Sequence, residues 1–190
     1  MPTSGRRFPE SIYNRIVKEM VGKQISPNQV RFIQSIAFLS NEYRRSFYHL
    51  YEDKLNYGMV TFLRMMIDNI VTVHAYILYE DKDKYCNYFF DDKPLNQLKI
   101  GEKSISHTTI FNIIGDADLS KLYKHCCRYL HPTSAAFDRV RLPYCGFGDC
   151  IYGSKNDERE AIRERFREID FVLQNLLREA IHGKQELPDE

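Results

Sequence analysis

Apolar residues recur along this chain at helical spacing, and the breaks in that recurrence set its elements. Between Pro9 and Val21, Ile12, Ile16 and Met20 stand four apart with Val17 beside them, and Gly22 follows. This predicts a short amphipathic helix. Ser26-Pro27 supplies a cap and a first-turn proline, after which Phe32, Ile36, Leu39, Tyr43, Phe47 and Leu50 recur at steps of three and four. The spacing predicts a helix of about 25 residues. Arg31, Glu42, Arg44, Arg45 and Glu52 fall off the stripe and mark its solvent side. The pattern breaks around Asn56-Tyr57-Gly58. A further long helix then presents Phe62, Met66, Ile70, Val73 and Ile77 on one face and Leu63, Ile67, Val71 and Tyr76 on the others. A helix that is apolar nearly all round belongs in the middle of a bundle.

From Glu80 to Ile100 the periodicity fades. Asp81-Lys82-Asp83-Lys84 and Asp91-Asp92-Lys93-Pro94 read as a connection with one short helical turn. Ser104 to Ile114 suits a brief helix. Asp118 or Ser120 is expected to cap the next one, which runs through Leu122, Cys126, Tyr129 and Leu130 to His131-Pro132, where the proline ends or kinks it. Pro143 to Gly153 is rich in glycine, carries Cys145 and Cys150, and has no helical period, so it reads as a loop that its aromatics Tyr144, Phe147 and Tyr152 could order. A final helix, about Asp157 to Ile181, repeats Ile162, Phe166, Ile169, Leu173, Leu176 and Ala180, with Gly183 after it. The ends, about 1–8 and 184–190, are expected to fray. No repeat or linker divides the chain. The expectation is one domain over 1–190: an all-α, up-and-down bundle of four to five main helices with a Gly/Cys-containing loop before the last.

Composition narrows the function classes. Of 190 residues, 43% are hydrophobic and 28% charged, which is globular rather than disordered and enough for one core. Lys plus Arg (27) nearly balances Asp plus Glu (26), so the net charge of +1 offers no global field for nucleic acid or anionic lipid, and any basic site must be local. The longest apolar run, Met65 to Leu78, is interrupted by Asp68, Asn69, Thr72 and His74 and is too polar to span a bilayer. The Met-Pro-Thr-Ser-Gly start has no apolar core of a signal peptide. Five cysteines, Cys86, Cys126, Cys127, Cys145 and Cys150, form no regular framework, and reduced thiols in a cytoplasm fit them best.

No phosphate-binding glycine loop, nucleophile elbow or metal-spaced histidine pair is present, so the common motif-borne enzyme classes lack support. Polar groups on helices that should be buried stand out instead. Arg64 and Asp68 lie four apart on one face of the central helix, with Asn69 adjacent and His74 farther on. Either they form a structural ion pair at the bundle's edge, or Asp68 aims the Arg64 guanidinium into a cleft. The second constellation runs from Tyr123 to Ser134. Lys124, Arg128 and His131 fall on successive turns of one helix side, which is either a solvated face or a phosphate-contacting one with His131 as general base or helix cap. A thiolate set of Cys126, Cys127, Cys145 and Cys150 for zinc competes with the reading of small buried thiols, which is favoured because adjacent helical cysteines do not easily face one ion.

Leu63-Arg64-Met65-Met66-Ile67-Asp68-Asn69-Ile70, followed by Leu122-Tyr123 and then Leu130-His131-Pro132-Thr133, resembles the pattern of HEPN-like bacterial helical proteins. The span from Asn56 to Ala136 carries the resemblance. It implies a four-to-five-helix bundle, homodimeric, in a defence or stress system, cleaving RNA without a metal or other cofactor. The implied site is His131 as general base or acid, Arg64 and Asp68 beside it, and Tyr123, Lys124, Arg128 and Ser134 contacting substrate. The superfamily's usual signature, Arg then four to six residues then His, is not matched. The positions preceding His131 at that distance are Lys124, His125 and Cys126, and Arg128 is too close. Lysine lacks the planar fork of arginine. The alternative is a non-catalytic module, antitoxin- or sensor-like, that docks a protein partner.

Overall fold

The computed structural model describes residues 11–130 and 155–183, with the side chains of 155–157 left aside. Among the described residues seven α-helices form an up-and-down bundle: α1 (Ile12–Lys18), α2 (Pro27–Glu52), α3 (Asn56–Leu78), α4 (Lys82–Phe90), α5 (His107–Ile114), α6 (Ala117–Leu130) and α7 (Lys155–His182). A single 3-10 turn, Leu95–Gln97, and a two-residue antiparallel pairing, β1 (Lys99–Ile100) with β2 (Lys103–Ser104), connect α4 to α5.

Local chemistry accounts for the starts. The Ser26 hydroxyl accepts from Gln29 N at 3.3 Å while Pro27 occupies the first turn of α2, as its sequence predicts. Ser11 caps α1 and Ser106 caps α5 in the same way. The cap of α6 is Asp116, whose Oδ1 accepts from Leu119 N at 2.8 Å, rather than the expected Asp118 or Ser120. Asp118 instead turns outward beside Lys121. At the α2–α3 junction the expected break at Gly58 falls inside a helix: α3 is already running at Asn56. Gly58 lies against Leu50 at the end of α2: a Cβ there would come 2.6 Å from Leu50 Cδ1, so a larger residue would oblige that side chain to shift. At the far end of α7, Gly183 takes a left-handed φ of 77°, the C-terminal stop expected of it.

The core is organised around α3, which touches α2, α4, α5, α6 and α7. Its buried residues, among them Met59, Leu63, Met66, Ile67, Ile70 and Val73, surround the helix rather than striping it. Phe47 of α2 stacks on Phe166 of α7 with centroids 3.7 Å apart, and Phe32 stacks on Tyr76 of α3 at 4.8 Å. Leu39, placed on the α2 stripe by its spacing, sits at the stripe's edge and is 37% exposed.

Two expectations change in the middle of the chain. The segment taken as a connection with one turn contains α4, capped by Asp81, whose side chain accepts from Lys84 N at 2.9 Å. Its inner face is Tyr85, Cys86 and Phe89, with both rings edge-on to Phe32. The Tyr85 hydroxyl donates to Thr72 O of α3 at 3.0 Å. Arg44, assigned to the solvent side of α2, reaches Asp170 of α7, with Nε 3.5 Å from Oδ2.

Candidate functional site

Arg64 and Asp68, one turn apart on α3, face the short α5 and the middle of α6. Arg64 Nε lies 3.9 Å from Asp68 Oδ2, an ion pair too long to count as a hydrogen bond. The guanidinium is instead held by α6: it lies over the Tyr123 ring, 5.7 Å from the centroid, and its contact with the Tyr123 hydroxyl is the largest influence keeping Arg64 more firmly protonated than usual. Burial pushes the Tyr123 phenol upward against the opposing pull of Arg64, so this hydroxyl stays protonated and able to donate.

The other oxygen of Asp68 is taken by a residue that sequence reasoning did not single out. His107, the first residue of α5, places Nε2 at 2.8 Å from Asp68 Oδ1. Its ring stacks on Tyr123 with centroids 4.8 Å apart and planes 18° from parallel. The Ser106 cap fixes where α5 begins, so the His107 backbone is positioned by Ser106 Oγ accepting from Thr109 N at 3.1 Å. The signal was present in Ser106-His107-Thr108-Thr109, a cap followed by a titratable first-turn side chain. Its pairing with a residue 39 positions earlier was not.

His107, Tyr123, Lys124, Cys127 and Arg128 line one open cleft of about 410 Å³ between α5 and α6. Lys124 and Arg128 also edge a larger groove of about 660 Å³ between α6 and α7, whose walls carry Lys121 and Arg165 as well as Asp118 and Glu168. The outer ridge of α6 therefore carries cations between two concavities, and the cleft on one side is lined by His107 and Tyr123, the members of the cluster that Asp68 and Arg64 contact. The half-exposed side chains of Arg64 (33%), Asp68 (35%) and His107 (44%) leave this cluster reachable from solvent.

Of the residues expected at the site, Arg64, Asp68, Tyr123, Lys124 and Arg128 come together. His131 and Ser134 lie outside the described residues, as do Cys145, Cys150 and the loop aromatics Tyr144, Phe147 and Tyr152. Asn69, adjacent to Asp68 in sequence, turns the other way and donates to Ser40 Oγ of α2 at 2.9 Å. His74 is half-buried farther along α3, where burial disfavours its charged form. The two neighbouring thiols of α6 have different surroundings: Cys126 is fully buried, with its pKa pushed up to about 12 by burial, while Cys127 faces the cleft. Adjacent positions on a helix point about 100° apart, which separates them as possible ligands of one ion. Among the described residues no group of three or more His, Cys, Asp or Glu side chains is arranged to hold a metal, and no helix is long and apolar enough to cross a membrane.

Comparison of the chain with protein-family models, with curated proteins and with solved structures gives no match.

Proposed function

We propose that this protein is a HEPN-like helical bundle of a nucleic-acid-related defence or stress system, that its α5–α6 cleft binds single-stranded RNA, and that it cleaves that RNA without a metal. The observation that carries this reading is one solvent-open cleft lined by His107, Tyr123, Lys124 and Arg128, with Asp68 bonded to His107 and the Arg64 guanidinium over the Tyr123 ring. Lys124 and Arg128 supply the local positive charge that the balanced composition otherwise lacks. Arg64 is oriented by Asp68 and Tyr123, as a guanidinium must be to stabilise charge on a transferring phosphate. The HEPN resemblance adds His131 as acid or base and a homodimer.

The test is incubation of purified protein with labelled single-stranded RNA and with tRNA in EDTA, alongside sedimentation to read the oligomeric state. Cleavage in EDTA supports the reading. Intact RNA under all conditions overturns the nuclease and favours the non-catalytic module that docks a protein partner.

A further inference from the structure

Resting on that RNA-cleavage reading, we infer that His107 is the general base of the cleft and that Asp68 is its positioning residue. The observation is geometric. Asp68 Oδ1 holds His107 Nε2 at 2.8 Å, the Arg64 guanidinium stands 3.9 Å from Oδ2 as a longer ion pair, and the His107 ring lines the α5–α6 cleft. A carboxylate accepts and does not donate, so the neutral imidazole must carry its proton on Nε2 and its lone pair on Nδ1. The ring cannot turn away from this arrangement without giving up its stack on Tyr123. The tautomer and the orientation of His107 are thus both set by neighbours on α3 and α6, the arrangement that converts a histidine into a directed proton acceptor.

The chemistry follows from the groups present. With a ribose seated in the cleft, Nδ1 removes the 2'-hydroxyl proton as O2' bonds to the adjacent phosphorus. The bond from phosphorus to O5' of the next nucleotide breaks, and that oxygen takes a proton from solvent while the imidazolium returns its own to solvent. The products are a 2',3'-cyclic phosphate and a 5'-hydroxyl, with no water consumed and no redox change. Arg64, held against Tyr123, lies beside the base for the negative charge that develops on the phosphate oxygens. The attack needs the 2'-hydroxyl, so the substrate class is RNA and not DNA.

The experiment compares wild type, His107→Gln and Asp68→Asn, each checked by circular dichroism, on a labelled single-stranded RNA in EDTA. The same oligonucleotide carrying one 2'-deoxyribose at the cleavage position is the control. His107→Gln should lower kcat by about 100-fold or more, the share general base catalysis supplies, with KM little changed. In Asp68→Asn the amide oxygen is drawn toward Arg64 and the amide nitrogen toward His107, which places the imidazole proton on Nδ1. That variant should lose at least about 10-fold in kcat, with the acidic limb of the pH profile displaced. The charged and titratable groups facing His107 are Asp68 and Arg64 from α3 and Tyr123, Lys124, Cys127 and Arg128 from α6, and none of the last four is altered in these variants. Imidazole added to His107→Ala should restore part of the cleavage. If wild type leaves RNA intact, the nuclease reading falls and this assignment with it. If wild type cleaves and both His107 variants cleave within about 2-fold of it, only the assignment of His107 is overturned.

Discussion

Two clusters among the described residues each join a carboxylate, an arginine and a tyrosine, and the fold treats the two carboxylates oppositely. In the first, Asp170 of α7 is only 8% exposed. It accepts from the Tyr13 hydroxyl of α1 at 2.6 Å and from Gln174 Nε2 at 3.0 Å, with Arg44 of α2 3.5 Å away. Nearby, Asn69 of α3 donates to Ser40, which in turn donates to Ile36 O at 2.7 Å. Here Tyr13, Ser40, Asn69 and Asp170 are buried and hydrogen-bonded across α1, α2, α3 and α7, while the Arg44 side chain reaches solvent. In the second, Asp68, Arg64 and Tyr123 meet His107 at the edge of a cleft, with side chains a third or more exposed. The difference lies in what surrounds them. Asp170 is capped by the fully buried Tyr13 of α1, whereas Asp68 is met by His107, the half-exposed first residue of α5.

The comparison breaks most readily at Asp170. Replacing it with alanine leaves the Tyr13 hydroxyl and the Arg44 guanidinium without their buried acceptor and should cost about 3 kcal/mol, read from urea denaturation. Asp68→Ala should cost less than about 1 kcal/mol, because its partners can turn to water. Equal losses at the two positions would erase the distinction between a closed and an open cluster. Next in size, Arg64→Lys keeps the charge and discards the planar fork. It should weaken binding of single-stranded RNA by about 10-fold, or ~1.4 kcal/mol, with the unfolding midpoint unchanged.

A smaller effect separates the clusters by pH. Burial raises the Asp170 pKa above its ordinary 3.8, against the lowering influence of Tyr13, Arg44 and Gln174. The folded protein therefore binds this proton more tightly than the unfolded chain, and the stability linked to it is present below pH 3.8 and lost as pH rises through the folded value. The stability of Asp170→Asn relative to wild type should accordingly increase from pH 4 toward neutrality, measured by denaturant titration at each pH. The smallest effect has the opposite sign. Glu19 at the end of α1 accepts from His182 Nε2 at 2.9 Å and pairs with Arg178, and the His182 hydrogen bond is the chief reason its pKa falls below 4.5. Its contribution is present above pH 4.5 and lost as pH falls further, so Glu19→Gln should flatten the acid limb of stability by less than about 1 kcal/mol.

By itself the sequence determined the helices whose burial is one-sided or complete. The Ser26-Pro27 start, the stripe of α2, the all-round apolarity of α3 and the Phe166–Leu173–Leu176 repeat of α7 are local patterns, and local patterns suffice where one helix face meets one core. The same reasoning put Arg64 and Asp68 on one side of α3 and Lys124 and Arg128 on one side of α6. Only the tertiary structure decided the rest. In α4 the charges of Asp81-Lys82-Asp83-Lys84 obscure an inner face of three residues, which becomes a helix face only because Phe32 and Thr72 receive Tyr85 and Phe89. Arg44 reads as solvated until Asp170, far along the chain, arrives to pair with it. His107 gains its meaning from Asp68 and Tyr123, which lie on helices before and after it. Helix formation is governed by neighbours three and four residues away, whereas a site is made by side chains that share no periodicity and meet only when the helices pack.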